Sequence, residues 1–203
     1  MIKPPTKLLL TFDDGPHPIW TRRIVDLLDS SNVKGIFFCV GSQVERFPEI
    51  TRSIIDRGHF IGNHMWSHNP FRSWVHSKLE NEIARVHDHF IQNYNYQIRV
   101  YRPPWGILLS KARSFIESKW GYKILHWDVD CHDYIWPYPR HLSFHSNTIN
   151  KPIQILLMHD GAMFSPISSK THTIDTLKYL IQHQSQDYIF MHPEEILSNP
   201  DQK

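Results

Sequence analysis

Short apolar runs alternate with amphipathic helical patterns along almost the whole chain, and this alternation limits the fold more than any other feature. The run at residues 8–12, Leu-Leu-Leu-Thr-Phe, is typical of a buried strand, and the pattern at residues 19–28 is typical of an amphipathic helix. Repeated strand–helix units predict a parallel sheet. We predict strands at residues 8–12, 35–40, 59–63, 98–101, 121–127, 153–158 and 188–191. We predict helices at residues 19–28, 43–57 with an interruption at Pro48, 74–93, 110–119 and 173–182, and a weaker helical pattern at 140–148.

Five of the predicted strands end in clusters of His, Asp, Arg or Trp. In a β/α barrel the carboxyl ends of the strands converge on one face, where such a protein places its chemistry. A Gly-rich phosphate loop follows none of these strands in the sequence, which disfavours a nucleotide site. We therefore predict an α/β fold, a single domain over residues 1–203, built as an irregular β/α barrel of seven or eight parallel strands.

Composition and charge exclude several classes of partner. The net charge is +2 and no long basic or acidic run occurs, so we expect no nucleic-acid partner. No apolar run is long enough to span a membrane, and residues 1–5 show no secretory signal. These observations leave the compartment open: the cytoplasm is the default, and a trimmed or unconventionally exported form is the alternative. Cys39 and Cys131 have no metal-type spacing and are expected to be two buried thiols rather than a disulfide.

Asp13 and Asp14 follow the first predicted strand directly and precede a Gly-Pro turn. Successive side chains of an extended chain point to opposite faces, so one acid can bind a cation while the other accepts a proton. The alternative is a solvated turn, which is common at strand ends. The pair alone favours the turn.

His64 and His68 are four residues apart, which places both rings on one side of a helical turn or a tight loop. Two imidazoles and one carboxylate, with a fourth position left for water, make up a catalytic zinc site. Asp14 is the natural third ligand. The same spacing recurs by chance at His141 and His145, so the joint pattern of acids and histidines, rather than either pair, favours a metal site.

Five motifs in order resemble those of the polysaccharide deacetylases, the carbohydrate esterase family that includes chitin, peptidoglycan N-acetylglucosamine and nodulation-factor deacetylases. The resemblance covers residues 8–195, nearly the whole chain. The motifs are Thr11-Phe12-Asp13-Asp14-Gly15, His64-x-x-x-His68, Arg102-x-Pro104-x-Gly106, Asp130-x-x-Asp133-Tyr134 and Leu157-x-His159.

The resemblance implies a deformed β/α barrel that removes N-acetyl, less often O-acetyl, groups from an N-acetylated glycan. It also implies a divalent metal, most simply Zn²⁺, with Co²⁺, Ni²⁺ and Mn²⁺ as alternatives. Asp14, His64 and His68 match the family's metal ligands. Asp13 matches the general base, and Arg102 matches the arginine that orients it.

Further matches concern the proton donor and the acetyl pocket. His159 matches the family's general acid, and Asp133 matches the carboxylate that keeps this histidine charged. Trp105 matches the residue whose backbone N–H stabilises the oxyanion, while its indole is a candidate wall of the groove. Tyr134 and Leu157 match the apolar residues around the acetyl group.

Two positions depart from the family pattern. Met65 stands where the family usually has Ser or Thr, although Ser67 is close enough in sequence to supply a hydroxyl, and Tyr134 replaces a Trp. The alternatives are therefore a non-catalytic carbohydrate-binding relative, or a deformylase or amidase for another linear amide. We expect a monomer. Further groove candidates, each of which also fits a core or surface position, are His17, Trp20, Trp66, Phe71, Trp74, Trp136 and Tyr138.

Overall fold

The computed structural model describes residues 5–133, 152–161, 169–184 and 188–198. Within these ranges eight strands form one sheet, and all of the strand pairs are parallel. This confirms the predicted deformed β/α barrel. The strands are β1 (Thr6–Asp13), β2 (Ile36–Cys39), β3 (Phe60–Asn63), β4 (Val100–Tyr101), β5 (Lys123–Ile124), β6 (Val129–Asp130), β7 (Ile153–His159) and β8 (Tyr188–Phe190).

Helices connect most of the strands. They are α1 (Trp20–Ser30), α2 (Gly41–Arg46), α3 (Pro48–Asp56), α4 (His76–Tyr94), α5 (Ser110–Trp120), α6 (Thr171–Gln182) and α7 (Pro193–Leu197), with 3₁₀ turns at Pro70–Trp74 and Pro104–Gly106. None of the helices in the described ranges is long and apolar enough to cross a bilayer. The weaker helical pattern at 140–148 lies outside the described residues.

The sheet places β1 near its middle, in the order β5-β4-β3-β2-β1-β7-β6, with β8 also paired to β1. The register sets Asp13 opposite His159 across β1 and β7. On the other side, Cys39 of β2 pairs with Asn63 of β3, and Asn63 pairs with Tyr101 of β4. The carboxyl ends of β1, β3, β4 and β7 therefore lie at one edge, and the residues that follow them are brought together.

Alternate residues of β1 pack on opposite faces. Leu8, Leu10 and Phe12 belong to a large cluster that includes helix residues, whereas Leu9 packs in a second cluster with Phe38. Thr11 and Asp13 share the strand face of Leu9, so the polar end of β1 continues a fully buried column.

Several element boundaries differ from the predictions, each for a local reason. The predicted helix at 43–57 is two helices, because Pro48 has no N–H and begins α3 as its first residue. The predicted helix at 74–93 begins at His76, since Pro70–Trp74 form a separate 3₁₀ turn and Val75 is extended. The predicted strand at 121–127 pairs only at Lys123–Ile124. The sequence analysis missed two short elements, β6 and α7.

Candidate active site

Asp13 and Asp14 occupy different environments although they are adjacent. Asp13 is the last residue of β1 and is buried at 4% exposure. Asp14 follows it with φ 73°, in the left-handed region that non-glycine residues seldom adopt. This positive φ, rather than strand alternation, sets the orientation of the second carboxylate, and one oxygen of each acid lies within 3.7 Å of His64 Nε2.

The loop after β3 carries both predicted histidine ligands. Met65 and His68 have φ values of 65° and 54°, so the segment is a tight loop and not a helical turn. The backbone N–H of Met65 donates to Asn63 Oδ1 at 2.9 Å. The backbone N–H and the hydroxyl of Ser67 both donate to Glu82 Oε2, at 2.7 and 2.9 Å. The loop is therefore braced by Asn63 and Glu82, and the Ser67 hydroxyl takes part in that bracing.

The side chains of Asp14, His64 and His68 converge. One ligand atom of each lies within 4.8 Å of the others, and Asp14 Oδ1 is 3.0 Å from His68 Nε2 and 3.6 Å from His64 Nε2. His64 Nδ1 is 2.7 Å from the carbonyl oxygen of Arg102. If Nδ1 carries the proton it donates this bond, which leaves Nε2 to face the other two side chains.

The donor set fits a divalent cation. Two imidazole nitrogens and one carboxylate oxygen, all buried or nearly so, match the ligands of a catalytic zinc site. Burial raises the pKa of Asp14, but hydrogen bonds with His64 and His68 hold it below its usual range. The carboxylate is therefore charged and available as a ligand at neutral pH.

Arg102 is fully buried and joins several parts of the site. Its Nη1 donates to Asp13 Oδ1 at 2.7 Å and to Thr11 Oγ1 at 2.8 Å. Its Nε and Nη2 donate to the carbonyl oxygens of Leu125 and His126, at 2.9 and 3.0 Å. The guanidinium carbon also lies 4.1 Å from the centre of the Phe38 ring. These contacts fix one oxygen of Asp13 and leave Oδ2, which is 3.7 Å from His64 Nε2, on the side of the histidines.

The backbone just after β5 also contributes to the site. The ladder of β5 ends at Ile124, and the carbonyl oxygens of the next two residues, Leu125 and His126, accept hydrogen bonds from the Arg102 side chain.

His159 and Asp133 form a second pair, in which Asp133 is buried and the His159 side chain is 16% exposed. His159 Nδ1 lies 2.8 Å from Asp133 Oδ1, while Asp133 Oδ2 accepts from the backbone N–H of His159 at 2.7 Å and from Thr173 Oγ1 at 2.6 Å. Burial lowers the pKa of His159, but the carboxylate of Asp133, with smaller contributions from Asp14 and Asp13, more than offsets this and raises the pKa to about 9. The imidazole is therefore charged at neutral pH.

The family model described as "Polysaccharide deacetylase" matches residues 2–125, more than half of the chain. The chain belongs to the polysaccharide deacetylase family. A peptidoglycan-N-acetylglucosamine deacetylase of Bacillus cereus is 34% identical over 63% of this chain and 46% of its own length. A chitooligosaccharide deacetylase of Bradyrhizobium sp. is 28% identical over 91% of this chain and 87% of its own. A solved peptidoglycan N-acetylglucosamine deacetylase in complex with 4-naphthalen-1-yl-N-oxidanyl-benzamide superposes with a TM-score of 0.79 at 26% identity, over 96% of this chain and 89% of that one.

The chain thus spans about half the length of the first of these deacetylases and most of the length of the other two. The predicted base, arginine, metal ligands and His–Asp pair all lie at the carboxyl ends of the strands, as the register requires. Their chemical roles remain predictions.

The predicted substrate residues of this deacetylase-family chain differ from one another in exposure. Trp105 lies in the 3₁₀ turn after β4 with φ 59° and is 52% exposed. Leu157 is buried in β7 opposite Thr11. Tyr134, with Trp136 and Tyr138, lies outside the described residues. Among the other groove candidates, Trp66 is buried and stacked beneath Arg85.

The sequence analysis assigned no role to Asp160, which directly follows His159. It is fully buried, and its Oδ2 accepts from Thr21 Oγ1 at 2.5 Å. Burial, with further contributions from Asp14 and Asp13, raises its pKa to about 7. A side chain at Gly15 would place its Cβ 2.1 Å from this carboxyl group. Asp160 therefore ties the end of β7 to the start of α1, and only glycine fits beside it.

Replacement of Glu82 by Ala is expected to lower the free energy of unfolding by about 1–3 kcal/mol, because Ser67 loses its acceptor and Arg72 its partner. The metal affinity should also fall, by about 10- to 100-fold, as for other residues that orient ligands. Urea denaturation and metal titration measure the two effects. Glu82→Gln, which keeps the shape and an acceptor oxygen, is the matched control. Unchanged metal affinity in Glu82→Ala would show that the histidine loop holds its shape without this brace.

Proposed function

We propose that this chain is a metal-dependent hydrolase that removes N-acetyl groups from an amino-sugar-containing oligo- or polysaccharide. The observation that carries this proposal is the arrangement of the strand ends: two histidines and a carboxylate that could hold a metal ion lie beside a second carboxylate held by Arg102, and a charged histidine ends the neighbouring strand. Family membership and relatives named as peptidoglycan and chitooligosaccharide deacetylases support this substrate class. We further propose that residues 1–203 act as one catalytic domain.

Asp14, His64 and His68 would hold the metal, and zinc is the simplest occupant, although this donor set also accepts Co²⁺, Ni²⁺ and Mn²⁺. When bound, the cation supplies a Lewis acid that lowers the pKa of water and polarises the acetyl carbonyl. The anchoring of His64 on the carbonyl of Arg102 and the braced loop around His68 position these ligands in advance.

Asp13 accepts the proton of the attacking water in this proposal. Its Oδ1 is held by Arg102 Nη1, which fixes the rotamer, and Oδ2 lies on the side of the histidine ligands. A carboxylate held beside the water but outside the ligand set suits a general base. Thr11, on the same strand face, shares the donor of Arg102 and completes its surroundings.

His159 donates the proton to the leaving amine. The Asp133 carboxylate keeps the imidazole charged and holds Nδ1, so that Nε2 carries the transferable proton. The backbone N–H of Trp105 is the first one available after Arg102, because Pro103 and Pro104 carry none, and in this proposal it stabilises the carbonyl oxygen as negative charge develops. Leu157 and Tyr134 are proposed to surround the acetyl methyl group.

An acetate-release assay tests the function. Wild-type protein is incubated with chitooligosaccharides, peptidoglycan, acetylxylan and a panel of formylated linear amides, with and without chelator. Release of acetate from an N-acetylated glycan, abolished by chelator and restored by zinc, supports the proposal. Release of formate alone would favour the deformylase alternative, and binding of glycan without release would favour the non-catalytic one.

The pH dependence of activity tests the role of His159. A charged acid with a pKa raised from 6.5 to about 9 is protonated at neutral pH, so kcat should fall as the pH rises through about 9. Removing the negative charge in Asp133→Asn is expected to move this alkaline limb down toward pH 6.5. The same pair stabilises the folded state fully below pH 6.5, and that stabilisation is lost as the pH rises to about 9. An alkaline limb that does not move in Asp133→Asn would assign it to another group.

A further inference from the structure

Three exposed aromatic side chains form a continuous surface beside the site. Phe71 is 56%, Trp74 53% and Trp105 52% exposed. The ring centre of Phe71 lies 5.0 Å from that of Trp74 and 6.2 Å from that of Trp105, both with nearly perpendicular planes. We call these three residues the aromatic platform. Large rings left half exposed and in mutual contact offer apolar area that the fold itself does not bury.

The aromatic platform is attached to the metal-ligand loop. The 3₁₀ turn Pro70–Trp74 begins with Asn69, whose Oδ1 accepts from the backbone N–H of Phe71 at 3.0 Å. Within the turn, Arg72 Nη1 lies 3.0 Å from Glu82 Oε1, and the other oxygen of Glu82 holds Ser67. One buried carboxylate therefore braces both the histidine loop and the turn that carries two of the rings.

The third ring of the platform, Trp105, belongs to a different loop, and its backbone is fixed by the packing of the next residue. Its φ of 59° is a conformation that costs a bulky residue about 1–3 kcal/mol. The next residue, Gly106, packs so closely against the Trp127 ring that a Cβ there would lie 2.8 Å from it. The surroundings thus keep the Trp105 backbone in a strained turn while half of its side chain remains exposed.

The platform lies close to the reacting groups. Phe71 is three residues after His68 and Trp105 is three residues after Arg102, and three residues span at most about 11 Å. A substrate that extends beyond the metal site in this direction meets the rings within a few linked sugars.

We propose that Phe71, Trp74 and Trp105 bind the part of the glycan chain that flanks the sugar being deacetylated, so that the enzyme prefers long chains to short ones. This rests on the proposed function. A sugar ring has flat C–H faces that suit stacking on aromatic rings, and hydroxyl edges that suit polar groups such as Asn69 and Arg72 at the margin. The guanidinium of Arg72 is paired with Glu82, so the turn offers little attraction to an anionic lipid surface.

The test compares two N-acetylated chitin oligosaccharides, the hexasaccharide and the disaccharide. In the double variant Phe71→Ala/Trp74→Ala, the ratio of kcat/KM for the hexasaccharide to that for the disaccharide is expected to fall about tenfold, as expected for the loss of two stacked contacts. The loss should appear in KM for the long chain rather than in kcat, because Phe71 and Trp74 are proposed to contact the flanking sugars and have no part in the proposed chemical step. Trp74→Phe should retain most of the preference, and Tyr179→Ala, which removes an exposed aromatic residue of α6, should retain all of it.

Calorimetric titration with the hexasaccharide separates this proposal from the deacetylase proposal. If the wild type binds the hexasaccharide, the double variant does not, and the wild type releases no acetate, the proposed role of the aromatic platform is supported and the proposed deacetylase activity is overturned. If the folded double variant releases acetate with an unchanged ratio of the two kcat/KM values, the proposed role of the aromatic platform is overturned and the proposed deacetylase activity stands. A wild-type dimer that the double variant dissociates, or binding of neutral phospholipid vesicles that it abolishes, would instead assign the rings to a second copy or a lipid surface.

Discussion

Asp13→Asn is expected to lower kcat/KM by about 10²- to 10⁴-fold, the usual contribution of a positioned base. The amide oxygen still accepts a hydrogen bond from Arg102, so the geometry around the guanidinium is retained. What is lost is the capacity to take a proton. Metal content should remain stoichiometric, because the proposed ligand atoms belong to Asp14, His64 and His68. Acetate release and elemental analysis of the same preparation measure both quantities.

The replacement also removes the negative charge beside a fully buried guanidinium, so stability must be followed in parallel. A thermal midpoint near that of the wild type, with metal bound and activity lost, isolates the proton transfer. Retained activity with metal bound would remove Asp13 from the mechanism. Loss of metal in Asp13→Asn would instead show that this residue belongs to the ligand set.

Asp14→Ala is expected to remove stoichiometric metal and to lower kcat/KM by at least about 10³-fold, since a bound cation contributes several kcal/mol to such reactions. Among the described residues, the proposed ligand set without Asp14 is reduced to the two histidines and has lost its carboxylate. Metal titration with zinc and cobalt measures the loss directly. Asp56→Ala, which removes an exposed acid of α3, should leave both metal content and activity unchanged. A stoichiometric, chelator-resistant metal in Asp14→Ala would place the ion elsewhere.

The alternation of strands and helices predicted the parallel barrel because burial on both faces and crossover helices leave direct traces in the sequence. The pairing of Asp13 with Arg102 and of Asp133 with His159 was available only through the resemblance, since 89 and 26 residues separate the partners. A contact between residues so far apart in the chain leaves no pattern in the sequence around either residue. The orientation of Asp14 was predicted from strand alternation, but it results from a positive φ that the sequence does not show.

The supporting residues were harder to predict for the same reason. Glu82 lies in the middle of an amphipathic helix, where an acid is ordinarily solvated, and only the packing of α4 against the histidine loop buries it. Asp160 directly follows His159, and the motif in that stretch of sequence assigns no role to Asp160 itself. Phe71 and Trp74 fit core positions as well as exposed ones, and the 3₁₀ turn that exposes them depends on Asn69 and Ser73 contacts within the loop.

The direct pairing of Asp13 with His159 across β1 and β7 has a consequence for divergence within the family. Neighbouring strands are held about 4.8 Å apart by backbone hydrogen bonds that do not depend on side-chain identity. The spacing of these two groups is therefore inherited with the sheet, whereas loops such as Pro70–Trp74 can be exchanged without disturbing it. Substitutions can then accumulate in the loops while the proposed base and acid stay in register, which is consistent with a TM-score of 0.79 at only 26% identity.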